Sequence, residues 1–213
     1  MRTTSTLLGL TLLALTGTAR AEDAAPTAPA DSDLAAATAA APSTGGQRRL
    51  QLGLAFLPMA KGKFTSTVST TTTVPAAFAY GVGFTGAYEI WRGLSVGLAP
   101  QLIFNVKDKT SSDVAKELDV FARLAYAYPV VETISLYLEV LPGYSLILPP
   151  AGGTPRGFVF AFGGGCVMNL TEQVFANVGL DYQTGYQTRE EDGATFEVRT
   201  KYYRLALGGG VRF

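Results

Sequence analysis

The chain has 213 residues, no net charge, and 16% charged side chains against 47% hydrophobic ones. Soluble domains carry about 25% charge, and with neither sign in excess nothing invites a nucleic acid or a cationic partner. The single cysteine, Cys166, excludes an internal disulfide, and the lack of histidine removes imidazole bases and ligands, hence most hydrolase and zinc chemistry.

Residues 1–21 read as a secretory signal peptide. Arg2 supplies the positive start, Leu7 to Leu15 the apolar core, and Ala19-Arg20-Ala21 a small-residue cleavage pattern. That core is about nine residues long, too short for a membrane anchor needing about 20. No cysteine sits near the junction, so lipoprotein processing is excluded. Residues 22–47 are Ala, Pro and Thr with a few acids and no aromatics. They bury too little apolar surface to offset ordering entropy, so a disordered linker is expected.

From Arg48 to Phe213 the pattern changes to period-two alternation in segments of roughly ten to fifteen residues, with no helix-length apolar run. Eight such segments follow one another. The first places Leu50, Leu52, Leu54 and Phe56 on one face; the second Phe78, Tyr80, Val82, Phe84, Tyr88 and Ile90. The third carries Leu94, Val96, Leu98, Leu102, Phe104 and Val106, and the fourth Leu118, Val120, Ala122, Leu124, Tyr126 and Tyr128. The fifth has Ile134, Leu136, Leu138, Val140, Tyr144 and Leu146; the sixth Phe158, Phe160, Phe162, Cys166 and Met168. The seventh has Val174, Ala176, Val178, Leu180, Tyr182 and Tyr186, and the last Tyr203, Leu205, Leu207, Val211 and Phe213. The opposite faces carry small or polar residues, among them Gly83, Gln101, Asp119, Arg123, Glu139, Gly163, Asp181, Gln183 and Arg204.

This predicts an all-β fold: an eight-stranded antiparallel up-and-down transmembrane barrel, apolar face outward. A soluble lipocalin-like barrel would turn that face inward, but it is too bulky for a small lumen, and the other face is too poor in Lys and Glu to meet water. Aromatics also cluster at both strand ends: Tyr88, Trp91, Tyr126, Tyr128 and Phe213 at one level, Phe56, Phe78, Phe104, Tyr144, Phe158 and Tyr203 at the other. Membrane interfaces select such girdles. Short turns at residues 91–93, 129–133 and 169–172 alternate with longer polar connections at 61–75, 108–115, 148–156 and 188–194. The short turns and both termini are therefore expected in the periplasm, and the Thr-rich 61–75 connection as a mobile surface loop.

Gly81-Val82-Gly83-Phe84-Thr85-Gly86 matches a dinucleotide fingerprint, but it lies within an alternating strand with no helix after it. Lumen-facing glycines explain it. Asn169-Leu170-Thr171 falls in a tight turn and receives no role, and Cys166 is a small lipid-facing hydrophobe. No catalytic residue, cofactor or metal ligand is identified. The lumen charges suggest more. A turn centred near Val131 sets Arg123 opposite Glu139, and a loop centred near Ser112 sets Gln101 beside Arg123 and Lys107 beside Glu117. The last hairpin brings Asp181 near Arg204. The expectation is a plug formed by a Gln101–Arg123–Glu139 row and an Asp181–Arg204 pair, where removing one partner costs about 3–5 kcal/mol; the alternative is a set of water-bathed charges worth little.

These residues resemble the small outer-membrane β-barrel proteins of the OmpX and OmpA-transmembrane type, within the porin-like outer-membrane barrel superfamily. The resemblance covers Arg48 to Phe213. Its most specific part is the last strand, where Tyr203, Leu205, Leu207, Val211 and Phe213 look like the signal read by the barrel-assembly machinery, with Gly209 departing from the pattern. The resemblance implies an outer membrane in a Gram-negative envelope, contact with outer-membrane lipid and lipopolysaccharide, and a monomer. No peptidoglycan-binding domain is expected after Phe213. Three roles are open: a structural or surface-interaction barrel, a narrow channel for small solutes, and a lipid-modifying enzyme, the last disfavoured because such barrels look to be built around histidine.

Overall fold

The computed structural model describes residues 49–213, apart from 68–70, 111 and 192. The expected signal peptide (1–21) and linker (22–47) lie outside the described residues. The strands are β1 (Leu50–Thr67), β2 (Thr71–Pro75), β3 (Ala79–Trp91), β4 (Leu94–Val106), β5 (Ala115–Val131), β6 (Ile134–Leu148), β7 (Arg156–Asn169), β8 (Val174–Glu191) and β9 (Ala194–Arg212). Each pairs antiparallel with its neighbour, and β1 also pairs with β9, closing a ring of eight. Closure gives each wall strand a hydrogen-bonded neighbour on both sides, the condition for crossing hydrocarbon with strands. At the seam Phe213 N donates to Leu50 O at 2.9 Å, tying the end of the chain to the start of the barrel.

The ninth strand, β2, corrects the expected 61–75 loop. β1 runs on to Thr67 and pairs with β2 from Lys63↔Pro75 to Thr67↔Thr71, so this connection is an extended hairpin. Runs of Thr and Ser suit a pleated surface, and the hydroxyls of Thr65 and Thr73 lie 3.1 Å apart across the ladder. The 188–194 connection likewise closes down to a tight turn at Gly193, since β8 and β9 stay paired as far as Glu191↔Ala194. Strand lengths reach 18 residues in β1 and β8 and 19 in β9, against about 9–11 needed to span a membrane. The excess projects at the end opposite Leu50 and Phe213.

The two faces separate as the alternation requires. Leu54, Leu98, Leu138 and Leu180 are 59–72% exposed on the outside, where aromatic pairs such as Tyr80–Phe104 and Tyr182–Tyr203 pack at 5.7 and 5.5 Å between ring centroids. Two features depart from the expected faces. Val106 turns inward, because the β4–β5 register shifts between Ile103 and Val106 next to Asn105, whose φ is 60°. The interior is also not purely small and polar. Leu57, Met59, Ile103 and Tyr202 form one buried apolar cluster, and Phe121, Leu141, Val159 and Ala161 another.

Candidate functional site: a polar network in the lumen

Inward positions of β4, β5, β8 and β9 build the densest polar layer. Asp181 stands directly opposite Arg204 in the β8–β9 register. Arg204 Nε and Nη2 donate to Asp181 Oδ2 at 3.1 and 2.8 Å, while Nη1 donates to Gln101 Oε1 at 2.7 Å and Gln183 Oε1 at 3.4 Å. Gln101 Nε2 then donates to Asp119 Oδ2 at 2.6 Å, and Gln183 Nε2 reaches the same oxygen at 2.9 Å. One guanidinium thus gathers side chains from β4 and β8, and their amides bring in Asp119 of β5. Its fork geometry, with five donors and no acceptor, suits it to that role. The layer is sealed from water: Asp119 and Gln183 have no exposed surface, and Gln101 and Arg204 are 4% exposed. Glycine makes room for it, since a Cβ on Gly163 would lie against Asp181 Oδ1 and the Leu180 carbonyl.

Nearer the termini a second pair forms. Arg123 Nε donates to Glu139 Oε2 at 2.6 Å and Nη1 to Ser95 Oγ at 3.4 Å. Arg123 and Glu139 keep 15% and 9% of their side-chain surface, so this pair is wetter than the first. Gln101 does not join it. The register sets Gly97 opposite Arg123 and Gln101 opposite Asp119, so the expected Gln101–Arg123 contact is replaced by Gln101–Asp119–Gln183–Arg204. The expected Lys107–Glu117 contact is also absent, because Ile103 faces Glu117. The hairpin is centred near residue 110 rather than 112, so each β4 residue meets a β5 partner four positions earlier than expected; the shift between Ile103 and Val106 accounts for one of those four.

A third group lies toward the long hairpins, where Glu117, expected beside Lys107, has other partners. Ser145 Oγ donates to Glu117 Oε1 at 3.0 Å and accepts from Gln187 Nε2 at 3.2 Å. All three side chains are fully buried. The signal that would have found them is parity: Glu117 shares the inward face of Asp119, and Gln187 that of Asp181 and Gln183.

One cavity borders the Arg204 layer and another lies farther up, beyond the Glu117 group. One, about 100 Å³, is lined by Arg123, Tyr137, Glu139, Asn177, Asp181 and Arg204. The other, about 230 Å³, opens among the hairpins between Phe64, Val106, Ile147, Pro149, Phe196 and Val198. Phe121 packs beneath the layer, its ring centroid 5.7 Å from the Arg204 guanidinium carbon. Among the described residues, no three acidic or thiol side chains converge as a metal site. Tyr203, Leu205, Leu207, Val211 and Phe213 all stand on the outer face of β9 or at its end, 37–63% exposed.

A closed ring with an apolar exterior, a polar interior and aromatic bands at both rims is a transmembrane β-barrel. Its fold is that of the small eight-stranded outer-membrane barrel proteins. The outer membrane protein OprG of Pseudomonas aeruginosa superposes with a TM-score of 0.54 at 14% identity, covering 77% of this chain and 95% of OprG. The outer membrane protein AlkL, solved in lipid bilayers, gives 0.50 at 14% identity, over 82% of this chain and 95% of AlkL. No protein-family model and no curated protein matches the sequence.

Proposed function

We propose that the chain is an integral outer-membrane barrel with a structural or surface-presenting role, its lumen stopped by side chains and both termini on the periplasmic side. One observation carries this: the Arg204–Asp181–Gln101–Asp119–Gln183 layer crosses the lumen with at most 4% of any member exposed, backed by Phe121 and Leu141. Eight-stranded barrels have just enough interior for side chains to fill. The orientation follows from length, since the tight turns at Arg92-Gly93, Glu132-Thr133 and residues 170–173 lie at the end holding the termini. Asp119 and Glu139, the carboxylates a lipid-modifying enzyme would use, point into the lumen away from lipid. Planar-bilayer recording tests the plug: the purified barrel is expected to show no steady open level, and a stable single-channel conductance would refute it.

The narrow-channel alternative has one observation in its favour. Cavities lie toward both ends of the lumen, and a water file joining them would need the Arg204 layer, the Glu117–Ser145–Gln187 group and the Tyr202 cluster all to withdraw.

A further inference from the structure

We infer that Glu117 and Asp119 form the acidic half of a buried site for one divalent cation of the calcium type, completed by neutral oxygens from β8 and β9. The site adjoins the Arg204 layer and rests on the closed lumen proposed above. Both carboxylates project inward from β5, two residues apart, and neither has any exposed surface. They stand near enough for the Asp119 charge to act on Glu117. Arg204 does not compensate them, since its donors go to Asp181 and to the amide oxygens of Gln101 and Gln183. Arg123 is held by Glu139. Among the described residues neither Glu117 nor Asp119 has an ion-pair partner. Asp181 and Arg204 cancel, so two negative charges remain in a layer closed to water. Bare carboxylates there are too costly to persist without a positive partner.

The unfilled oxygens show what kind of partner fits. Asp119 Oδ2 is taken up by Gln101 and Gln183, and Glu117 Oε1 by Ser145, but Asp119 Oδ1 and Glu117 Oε2 accept nothing. Three neutral groups beside them are equally unfilled. Gln187 joins the cluster through Ser145, to which its Nε2 donates at 3.2 Å, yet its Oε1 has no donor. Thr200 Oγ1 lies beside that amide and is also unpartnered: a Cβ on Gly185 would meet Gln187 Nε2 at 2.5 Å and Thr200 Oγ1 at 2.7 Å. The Tyr202 hydroxyl, within electrostatic reach of both carboxylates, is the third. Gln187 and Thr200 are fully buried and Tyr202 is 1% exposed. Every unfilled atom in this cluster is an oxygen, and those of the carboxylates and the amide can only accept.

A proton shared by the two carboxyls would fill one acceptor and cancel one charge, leaving the other charge and the Gln187 oxygen unanswered. A divalent cation answers all of them and returns the layer to neutrality. Calcium takes about six to eight oxygens in irregular geometry, whereas magnesium demands an octahedron and keeps its waters. A dry lumen offering two carboxylates, an amide oxygen and hydroxyls suits the first.

The test refolds the barrel from urea into phosphatidylcholine vesicles in calcium chloride or in EDTA, desalts it, and measures bound metal by atomic emission. Wild type should retain about one calcium per barrel and E117Q/D119N roughly tenfold less. E132Q, at the turn on the opposite rim, should match wild type, and magnesium chloride should leave no retained metal. Q187L keeps both carboxylates but takes away the amide oxygen, so it too should hold less calcium, which decides the matter even where E117Q/D119N does not fold. Urea midpoints should reverse in order. Calcium should raise that of wild type by binding only the folded state, while in EDTA E117Q/D119N should exceed wild type because its buried charges are gone. Equal calcium in wild type, E117Q/D119N and Q187L places the ion on surface carboxylates and overturns the site. No retained calcium, with equal wild-type midpoints in calcium and EDTA, assigns the pair a shared proton and overturns it too. If that calcium-free barrel shows no steady open level in planar bilayers, the plug stands without the site; a steady open level sinks both.

Discussion

Replacing Arg204 with Met isolates the energetic weight of the lumen layer. In the folded barrel the Arg204 side chain is 5% exposed and its Asp181 partner 0%, with two contacts at 3.1 and 2.8 Å between them. R204M leaves the Asp181 carboxylate buried without a counter-charge, which costs about 3–5 kcal/mol. It also removes the donor to Gln101 Oε1 at 2.7 Å, and an orphaned buried acceptor adds about 1–3 kcal/mol. Small domains hold about 5–15 kcal/mol in total, so R204M should fold poorly or unfold at much lower urea. The double variant D181L/R204M removes both charges and should recover most of the loss, because an apolar replacement of a buried pair is often near neutral. The assay is urea titration in phosphatidylcholine vesicles, with the folded fraction read from the gel-mobility difference before and after boiling. If R204M loses less than about 1 kcal/mol, as an exposed pair would, or if the two single losses simply add in the double, the buried-network account is wrong.

The Arg123–Glu139 pair, half-open to the lower cavity, should couple more weakly, by about 1–3 kcal/mol between the surface and buried limits. R123E should therefore lower the urea midpoint and E139R restore part of it in the double; no restoration refutes the pairing. Gly165 tests close packing of the wall, since a Cβ there would fall 2.0 Å from the Val178 carbonyl oxygen, against 3.4 Å for the nearest atom at Gly53. G165A should lose about 1–3 kcal/mol from forced backbone displacement and G53A little, so equal urea midpoints would contradict the register between β7 and β8. Replacing Phe213 with Ala should reduce folded barrel in cells while leaving refolding into detergent nearly unchanged, because its ring is 63% exposed and the seam hydrogen bonds to Leu50 are made by the backbone, which the substitution keeps. An unchanged cellular yield would remove the assembly role given to the last strand.

The alternation of Leu, Phe and Tyr with Gly and polar residues determined the eight strands of the closed wall and their outward face, because side-chain parity along a strand is a purely local property. It also placed Arg123 near Glu139 and Asp181 near Arg204, since a tight hairpin turn fixes the register on either side of it. Parity held even for residues that went unflagged: Gln187, Phe121 and Leu141 follow the inward faces of their strands, but nothing local shows that such bulky groups fit inside. Only the closed ring decided that, by setting which strands meet across the lumen. Arg204 on β9 and Gln101 on β4 are 103 residues apart in sequence yet share a hydrogen bond, a contact created by closure through β1 and β3. The Val106 reversal depends on the bulge at Asn105, φ 60°, which moves the β4–β5 pairing by one residue; the rest of the displacement comes from where the connection after Val106 turns, and the alternation of side chains marks neither.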